Sequence, residues 1–129
     1  MIQYRKIVDL SKKQIQECNN LINANFTENR FDTYTHVVTY EEDSSILGFV
    51  GIFDNYLNQL CTNEKHRKKG IATNILKATN QYLSHPIFLF INKNQEKTEK
   101  LLKFYLKLGF TIDYENDLEY KMTTYENTF

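Results

Sequence analysis

Two periods of apolar residues alternate along this chain. After a short strand-like run at 3–8, Ile15, Cys18, Leu21, Ile22 and Phe26 recur at the three- and four-residue spacing that loads one face of a helix. Ser11 stands where that helix would take its N-cap. Residues 33–41 (TYTHVVTYE) and 46–53 then turn β-branched and aromatic, with EEDSS between them as a turn, which predicts a hairpin. Residues 57–62 predict a further strand. A second helical repeat carries Ile71, Ile75, Leu76, Tyr82 and Leu83, and Pro86 closes it off before IFLFI at 87–91. That run is apolar on both faces, the pattern of a strand buried on both sides. Leu101, Leu102, Tyr105 and Leu108 predict a third helix with Gly109 in the helix-ending position. Residues 110–114 and 118–124 predict a closing hairpin. The resulting order, β-α-β-β-β-α-β-α-β-β, is a mixed α/β (α+β) architecture, a central sheet flanked by helices. Strand 57–62, its helix and strand 87–91 form a right-handed crossover within it.

Composition narrows this picture by exclusion. At 129 residues the chain fits one domain, 1–129, able to bury a core without metal or disulfide staples. Lys plus Arg and Asp plus Glu number 16 each, so the net charge is zero, which disfavours binding to nucleic acid by charge. The N-terminal MIQYRKIVDLSKKQ lacks the apolar stretch of a signal peptide, and no segment reaches the roughly 20 apolar residues of a membrane span. Cys18 and Cys61 fit no metal or redox spacing, and His36, His66 and His85 are scattered. Reduced thiols, no metal and a cytoplasmic setting are therefore the expectation. No Gly-x-Ser-x-Gly elbow suggests a serine hydrolase.

One stretch carries chemistry. Residues 65–76, KHRKKGIATNIL, run from a cationic cluster through Gly70 into the second helix. A helix N-terminus has backbone N–H groups without partners and partial positive charge. Gly70 lets a ligand approach the backbone, Ala72 is small, and Arg67, Lys68 and Lys69 add positive charge. After a strand, that combination suits a pyrophosphate. The two commoner phosphate loops, G-x-x-x-x-G-K-[ST] and G-x-G-x-x-G, are absent. Read alone, the basic loop is also compatible with a solvated surface or a nucleic-acid patch.

Three motifs in order resemble the GNAT superfamily of acyl-CoA-dependent N-acetyltransferases. Its Q/R-x-x-G-x-G/A signature stands here as Arg67-Lys68-Lys69-Gly70-Ile71-Ala72, preceded by LCTNEKHR at 60–67. LLKFYLKLGF at 101–110 is similar to the family's helix-to-strand segment, with Tyr105, Gly109 and Phe110 in register, and Ile46-Leu47-Gly48-Phe49 fits its earlier strand. The resemblance implies that backbone amides of Lys68, Lys69, Gly70, Ile71, Ala72 and Thr73 hold the pyrophosphate of coenzyme A. It implies that the backbone of Leu60, Cys61 and Thr62 pairs with the pantetheine arm in a gap between two splayed parallel strands. It further implies that Tyr105 donates a proton to the departing thiolate. Proton transfer from a phenol of pKa about 10 to a thiol of about 8.5 is uphill but local.

Two positions depart from the family pattern. An asparagine that often precedes the tyrosine by seven residues is Thr98 here, with Asn94 nearby as a substitute for contact with the CoA arm. The frequent strand glutamate that serves as general base has no counterpart, because 57–62 holds no carboxylate. A protonated amine must still lose its proton. Asp54 before the strand and Glu64 after it are the candidates, His36 and His66 weaker ones, and a water chain the other route. Cys61 lacks the His–Asp arrangement of an activated nucleophile and is expected to be an ordinary strand residue.

The function expected is N-acetyl transfer from acetyl-CoA to a primary amine by direct attack, with strand amides near 60–62 stabilising the oxyanion. The alternatives are an inactive CoA-binding module, suggested by the missing carboxylate, and nucleic-acid binding through 65–69. Acetyl-CoA and an amine are the expected partners, with no membrane and, as an open option, a homodimer. The acceptor groove is expected between residues 20–35 and the closing hairpin, where Glu28, Asp32 and Asp54 could draw a cationic amine.

Overall fold

The computed structural model describes residues 1–67 and 69–127, and over these the chain follows the predicted order of elements. These are β1 (Ile2–Lys6), α1 (Lys12–Asn25), β2 (His36–Glu42), β3 (Ser45–Phe53) and β4 (Tyr56–Thr62), then α2 (Ile71–Tyr82), β5 (Ile87–Asn92), α3 (Thr98–Lys107), β6 (Thr111–Glu115) and β7 (Glu119–Thr124). Short 3-10 turns at Ile7–Asp9, Phe31–Thr33 and Glu64–His66 shorten two of the predicted strands. The first stops at Lys6 rather than 8, and the second begins at His36 rather than 33 because Phe31 and Tyr34 tuck into the core. Ser11 caps α1 as expected: its hydroxyl accepts from the Gln14 N–H at 3.1 Å, and the Gln14 amide oxygen accepts from the Ser11 N–H at 2.8 Å.

The seven strands form one sheet in the order β1-β2-β3-β4-β5-β7-β6. Every neighbouring pair is antiparallel except β4 and β5, which are parallel and joined through α2. Two cores lie on opposite faces. On one, α2 and α3 pack Ile71, Ile75, Leu76, Tyr105 and Leu108 against Val38, Val50, Leu57 and the odd-numbered residues of β5. On the other, α1 packs Cys18, Leu21 and Ile22 against Val37, Phe49 and Cys61.

Leu57 and Cys61 would share a face in a regular strand, yet they belong to different cores. The reason is a bulge. Gly51 pairs with Asn58 and Phe49 with Cys61, so Val50 alone spans two residues of β4, Gln59 and Leu60. One extra residue flips every later side chain to the opposite face. Gln59 takes the left-handed conformation that makes the bulge, with φ +56.

Three expectations from periodicity do not hold. Phe26 closes α1 as its C-cap and is 38% exposed instead of facing the core. Tyr82 lies outside the core at 47% exposure, stacked on Tyr4 at 4.9 Å. Strand β5 is buried on one face only. Ile87, Leu89 and Ile91 point under α2 and α3, but Phe90 on the other face is 42% exposed, because α1 covers β3 and β4 and stops short of β5.

Candidate functional site

The loop after β4 delivers α2 with an open N-terminus. Gly70 is its N-cap, with φ +76 and no side chain to satisfy the first turn. The first helical bond runs from the Asn74 N–H to the Gly70 carbonyl at 3.0 Å, so the amides of Ile71, Ala72 and Thr73 precede it without an intrahelical acceptor. A Cβ built on Gly70 would meet nothing within 4 Å. The space belongs to a cavity of about 200 Å³ that Thr62, His66, Gly70, Ala72, Thr73 and Phe104 line. Of the cations, Lys69 is exposed beside it and Lys68 lies outside the described residues. Arg67 also lines it, but its guanidinium donates to Asn25 Oδ1 at the end of α1.

Between β4 and β5 the ladder has a single rung among the described residues, Tyr56 opposite Phe88. Beyond it the two parallel strands part, and the β5-facing edge of β4 is left without a strand partner. The gap is a narrow slot of about 130 Å³ between Leu57, Gln59 and Leu60 on one side and Leu89, Phe90 and Ile91 on the other. Tyr105 reaches it from α3. Its ring packs edge-on against Phe104 at 5.1 Å and Phe110 at 5.5 Å, and its hydroxyl has no hydrogen bond among the described residues. Burial pushes the phenol above its ordinary value. Full proton transfer to a thiolate is thereby further uphill, whereas hydrogen-bond donation remains available.

The other face of the same opening is a groove of about 510 Å³. Its flanks are the segment after α1, through Arg30, and the β6–β7 turn, through Leu118 and Glu119, with Tyr56, Asn58 and Phe90 on its floor. Asn58 and Phe90 line both groove and slot, so the two spaces meet there. Gln59 fixes the geometry of this junction. Its amide oxygen accepts from the Arg30 N–H at 3.1 Å and from the Tyr34 hydroxyl at 2.6 Å, and its nitrogen donates to the Glu28 carbonyl at 2.7 Å. The bulge of β4 and the segment bearing Arg30 are therefore held as one unit.

The sequence-derived candidates separate on this frame. Leu60 and Tyr105 meet at the slot, while Thr62, Gly70, Ile71, Ala72 and Thr73 gather at the helix terminus. Asn94 lines the groove and not the slot. Thr98 spends its hydroxyl on the carbonyls of Asn92 at 2.7 Å and Gln95 at 3.0 Å. Asp54 sits exposed in the β3–β4 turn with φ +53, at the closed end of the slot, and lines neither slot nor groove. Glu64 lines a separate cavity beneath α1, and His36 stacks on Tyr4 at the far edge of the sheet. Cys61 faces the α1 core, where burial pushes its thiol well up and away from a thiolate nucleophile. Among the described residues no three His, Cys, Asp or Glu gather to hold a metal, and no helix is long and apolar enough to cross a membrane.

Sequence reasoning missed Tyr56, Asn58, Gln59 and Glu119. The alternation of 119–124 would have placed Glu119 on the same face as Lys121 and Thr123. The bulge that aims Gln59 has no comparable signal.

The acetyltransferase (GNAT) domain family matches the chain over residues 7–123. No curated protein sequence matches it. Among solved structures, an acyl-CoA N-acyltransferase from Pseudomonas aeruginosa superposes with a TM-score of 0.79 at 15% identity, covering 96% of this chain and 98% of that one. Escherichia coli ElaA gives 0.76 at 16% identity, with 96% and 99% covered. The PaiA N-acetyltransferase from Thermoplasma acidophilum, solved in complex with coenzyme A, gives 0.65 at 16% identity, with 97% and 99% covered. At these identities the likeness is one of fold.

Proposed function

The chain belongs to the GNAT acetyltransferase family, and from that premise we propose that it moves an acetyl group from acetyl-CoA to a primary amine by direct attack on the thioester. The observation that carries this reading is the junction of three features: a one-rung parallel ladder that splays, a helix N-terminus with free amides beside it, and a groove opening on the far side. The amides of Ile71, Ala72 and Thr73 take the pyrophosphate, with Gly70 giving it room and Lys68 and Lys69 adding charge. The unpaired edge of β4 around Leu60, Cys61 and Thr62 takes the pantetheine arm as an added strand, and its amides face the developing oxyanion. Tyr105 hydrogen-bonds the departing sulfur. The amine enters from the groove and meets the thioester near Asn58 and Phe90.

We assign the activity to one domain, 1–129, working in the cytoplasm. Asp54 lines neither slot nor groove, so as the base it would take the amine's proton through water. A second reading, a CoA-binding module without turnover, is favoured by one observation: among the described residues no carboxylate lines the slot itself. Release of free CoA thiol from acetyl-CoA in the presence of a panel of primary amines separates the two. Binding of CoA with no amine-dependent thiol release, and no effect of Tyr105→Phe on any rate, would sink the enzyme reading.

A further inference from the structure

Between α1 and β2 the chain crosses the rim of the groove as an irregular segment, residues 26–35, and one side chain of β4 organises it. Among the described residues, every hydrogen bond between this segment and β4 ends on the side chain of Gln59. Three polar groups meet there: the Arg30 N–H, the Tyr34 hydroxyl and the Glu28 carbonyl. Gln59 is itself only 8% exposed. A methionine would fill the same space, but it would leave all three groups without a protein partner.

Tyr34 reaches Gln59 because β3 offers a glycine beneath it. A Cβ on Gly51 would stand 2.2 Å from the Tyr34 ring, inside any contact distance. Gly51 pairs with Asn58, the residue before the bulge. Two features of neighbouring strands therefore serve the same ring: Gly51 seats it, and Gln59, at φ +56, takes its hydroxyl. Phe31, edge-on to Tyr34 at 6.3 Å between centroids, anchors the segment from within the α1 core. The groove wall that carries Arg30 is thus set on β4 immediately beside Leu60, at the slot.

We propose that Gln59 is a positioning residue for the transfer step. It acts through the wall it holds. The segment bearing Arg30 stays in register with the strand that carries the thioester, so that an amine entering the groove meets the carbonyl at reacting distance. This rests on the acetyltransferase reading. Direct attack tolerates little error, and a displacement of about 1 Å costs on the order of 100-fold in rate. CoA itself is held by the backbone of β4 and the terminus of α2, so its binding does not depend on the Gln59 side chain.

The test measures thiol release from acetyl-CoA by the full chain as wild type, Gln59→Met and Tyr34→Phe. The amine varied is whichever of spermidine, glucosamine, 2-phenylethylamine and a lysine-bearing peptide the wild type uses best. Methionine is unbranched like glutamine and adds no strain at φ +56, and Tyr34→Phe removes one hydroxyl only. In Gln59→Met the KM for the amine should rise at least fivefold and kcat fall, with the KM for acetyl-CoA and the CoA affinity within twofold of wild type. Tyr34→Phe should raise the amine KM about threefold by the same route. A merely structural role would lower kcat with the folded fraction and leave both KM values alone, and that result overturns the proposal. So does a loss of CoA affinity that matches the loss of rate. If Gln59→Met does not fold, an amine KM unchanged in Tyr34→Phe overturns it alone. Absence of amine-dependent thiol release by the wild type would be a different failure, that of the acetyltransferase reading, and would take this proposal with it.

Discussion

Tyr56 and Phe88 stack with their ring centroids 5.3 Å apart and their planes within 3° of parallel, at the one described rung that joins β4 to β5. The pair pins the closed end of the slot, and every residue beyond it can diverge. Phe88→Ala removes the stack and a half-buried ring together. We expect it to cost about 2 kcal/mol, less than a fully buried Phe because part of the ring already meets water. Urea denaturation checks the stability. CoA affinity should fall as well, since a slot hinged at its apex loses definition along its length, whereas Phe88→Leu should retain most of both.

At Gly70 two explanations of phosphate binding can be separated. If free amides dominate, Gly70→Val is the damaging change, because a β-branched residue at φ +76 is strained and its side chain fills the space left open there. A loss of CoA affinity of more than tenfold is expected by calorimetry. Lys69→Ala should cost about two- to threefold, and that loss should shrink at high salt, as an exposed charge dictates. Equal losses from the two variants would reduce the site to simple electrostatic attraction.

Much of this arrangement was legible in the residues, and what was not has a physical cause. Period and punctuation gave ten elements in order, and Arg67 to Ala72 marked the helix terminus, because capping and phosphate binding are local and leave local signatures. The open face of β5 was not legible. IFLFI reads as a strand buried twice over, and only the length and placement of α1 decide that Phe90 is uncovered. The bulge at Gln59 is likewise a relation between strands, visible once Gly51 and Phe49 choose their partners. Residues 57–62 hold no carboxylate. The carboxylate that faces the groove arrives instead from Glu119, far along the chain and brought near by β7 inserting between β5 and β6.

Tyr105→Phe tests the role of the buried hydroxyl. Packing against Phe104 and Phe110 is retained, so the variant should fold with an unchanged Tm and bind CoA within twofold of wild type. Its kcat should fall about 10- to 100-fold, the usual span for a proton donor or hydrogen-bond donor at a leaving group. Burial raises this phenol above its ordinary value of about 10, so it stays protonated through the working range. No alkaline limb below about pH 10 in the rate profile should therefore vanish in Tyr105→Phe. A limb that did vanish would place the ionisation on Tyr105 and contradict its burial.

Away from the site, Arg5 and Glu41 tie β1 to β2 through two hydrogen bonds, Nε to Oε2 at 2.8 Å and Nη2 to Oε1 at 2.9 Å, with the Thr39 hydroxyl also donating to Oε2. The Arg5 guanidinium is the main reason the Glu41 carboxyl lies below its ordinary value, with partial burial opposing it and Thr39 assisting. A carboxylate with a depressed folded pKa stabilises the fold fully above its unfolded pKa, about 4.3, and loses that contribution as pH falls through the folded value. Glu41→Gln should therefore cost about 1–2 kcal/mol at pH 7, at the modest end for a charged pair because Arg5 is one-third exposed. The gap between variant and wild type should hold from pH 7 down to about pH 5 and close steadily below pH 4. Denaturant titrations at a series of pH values would show it, and a gap that widened on acidification would mean the carboxylate is destabilised, not stabilised, in the folded chain.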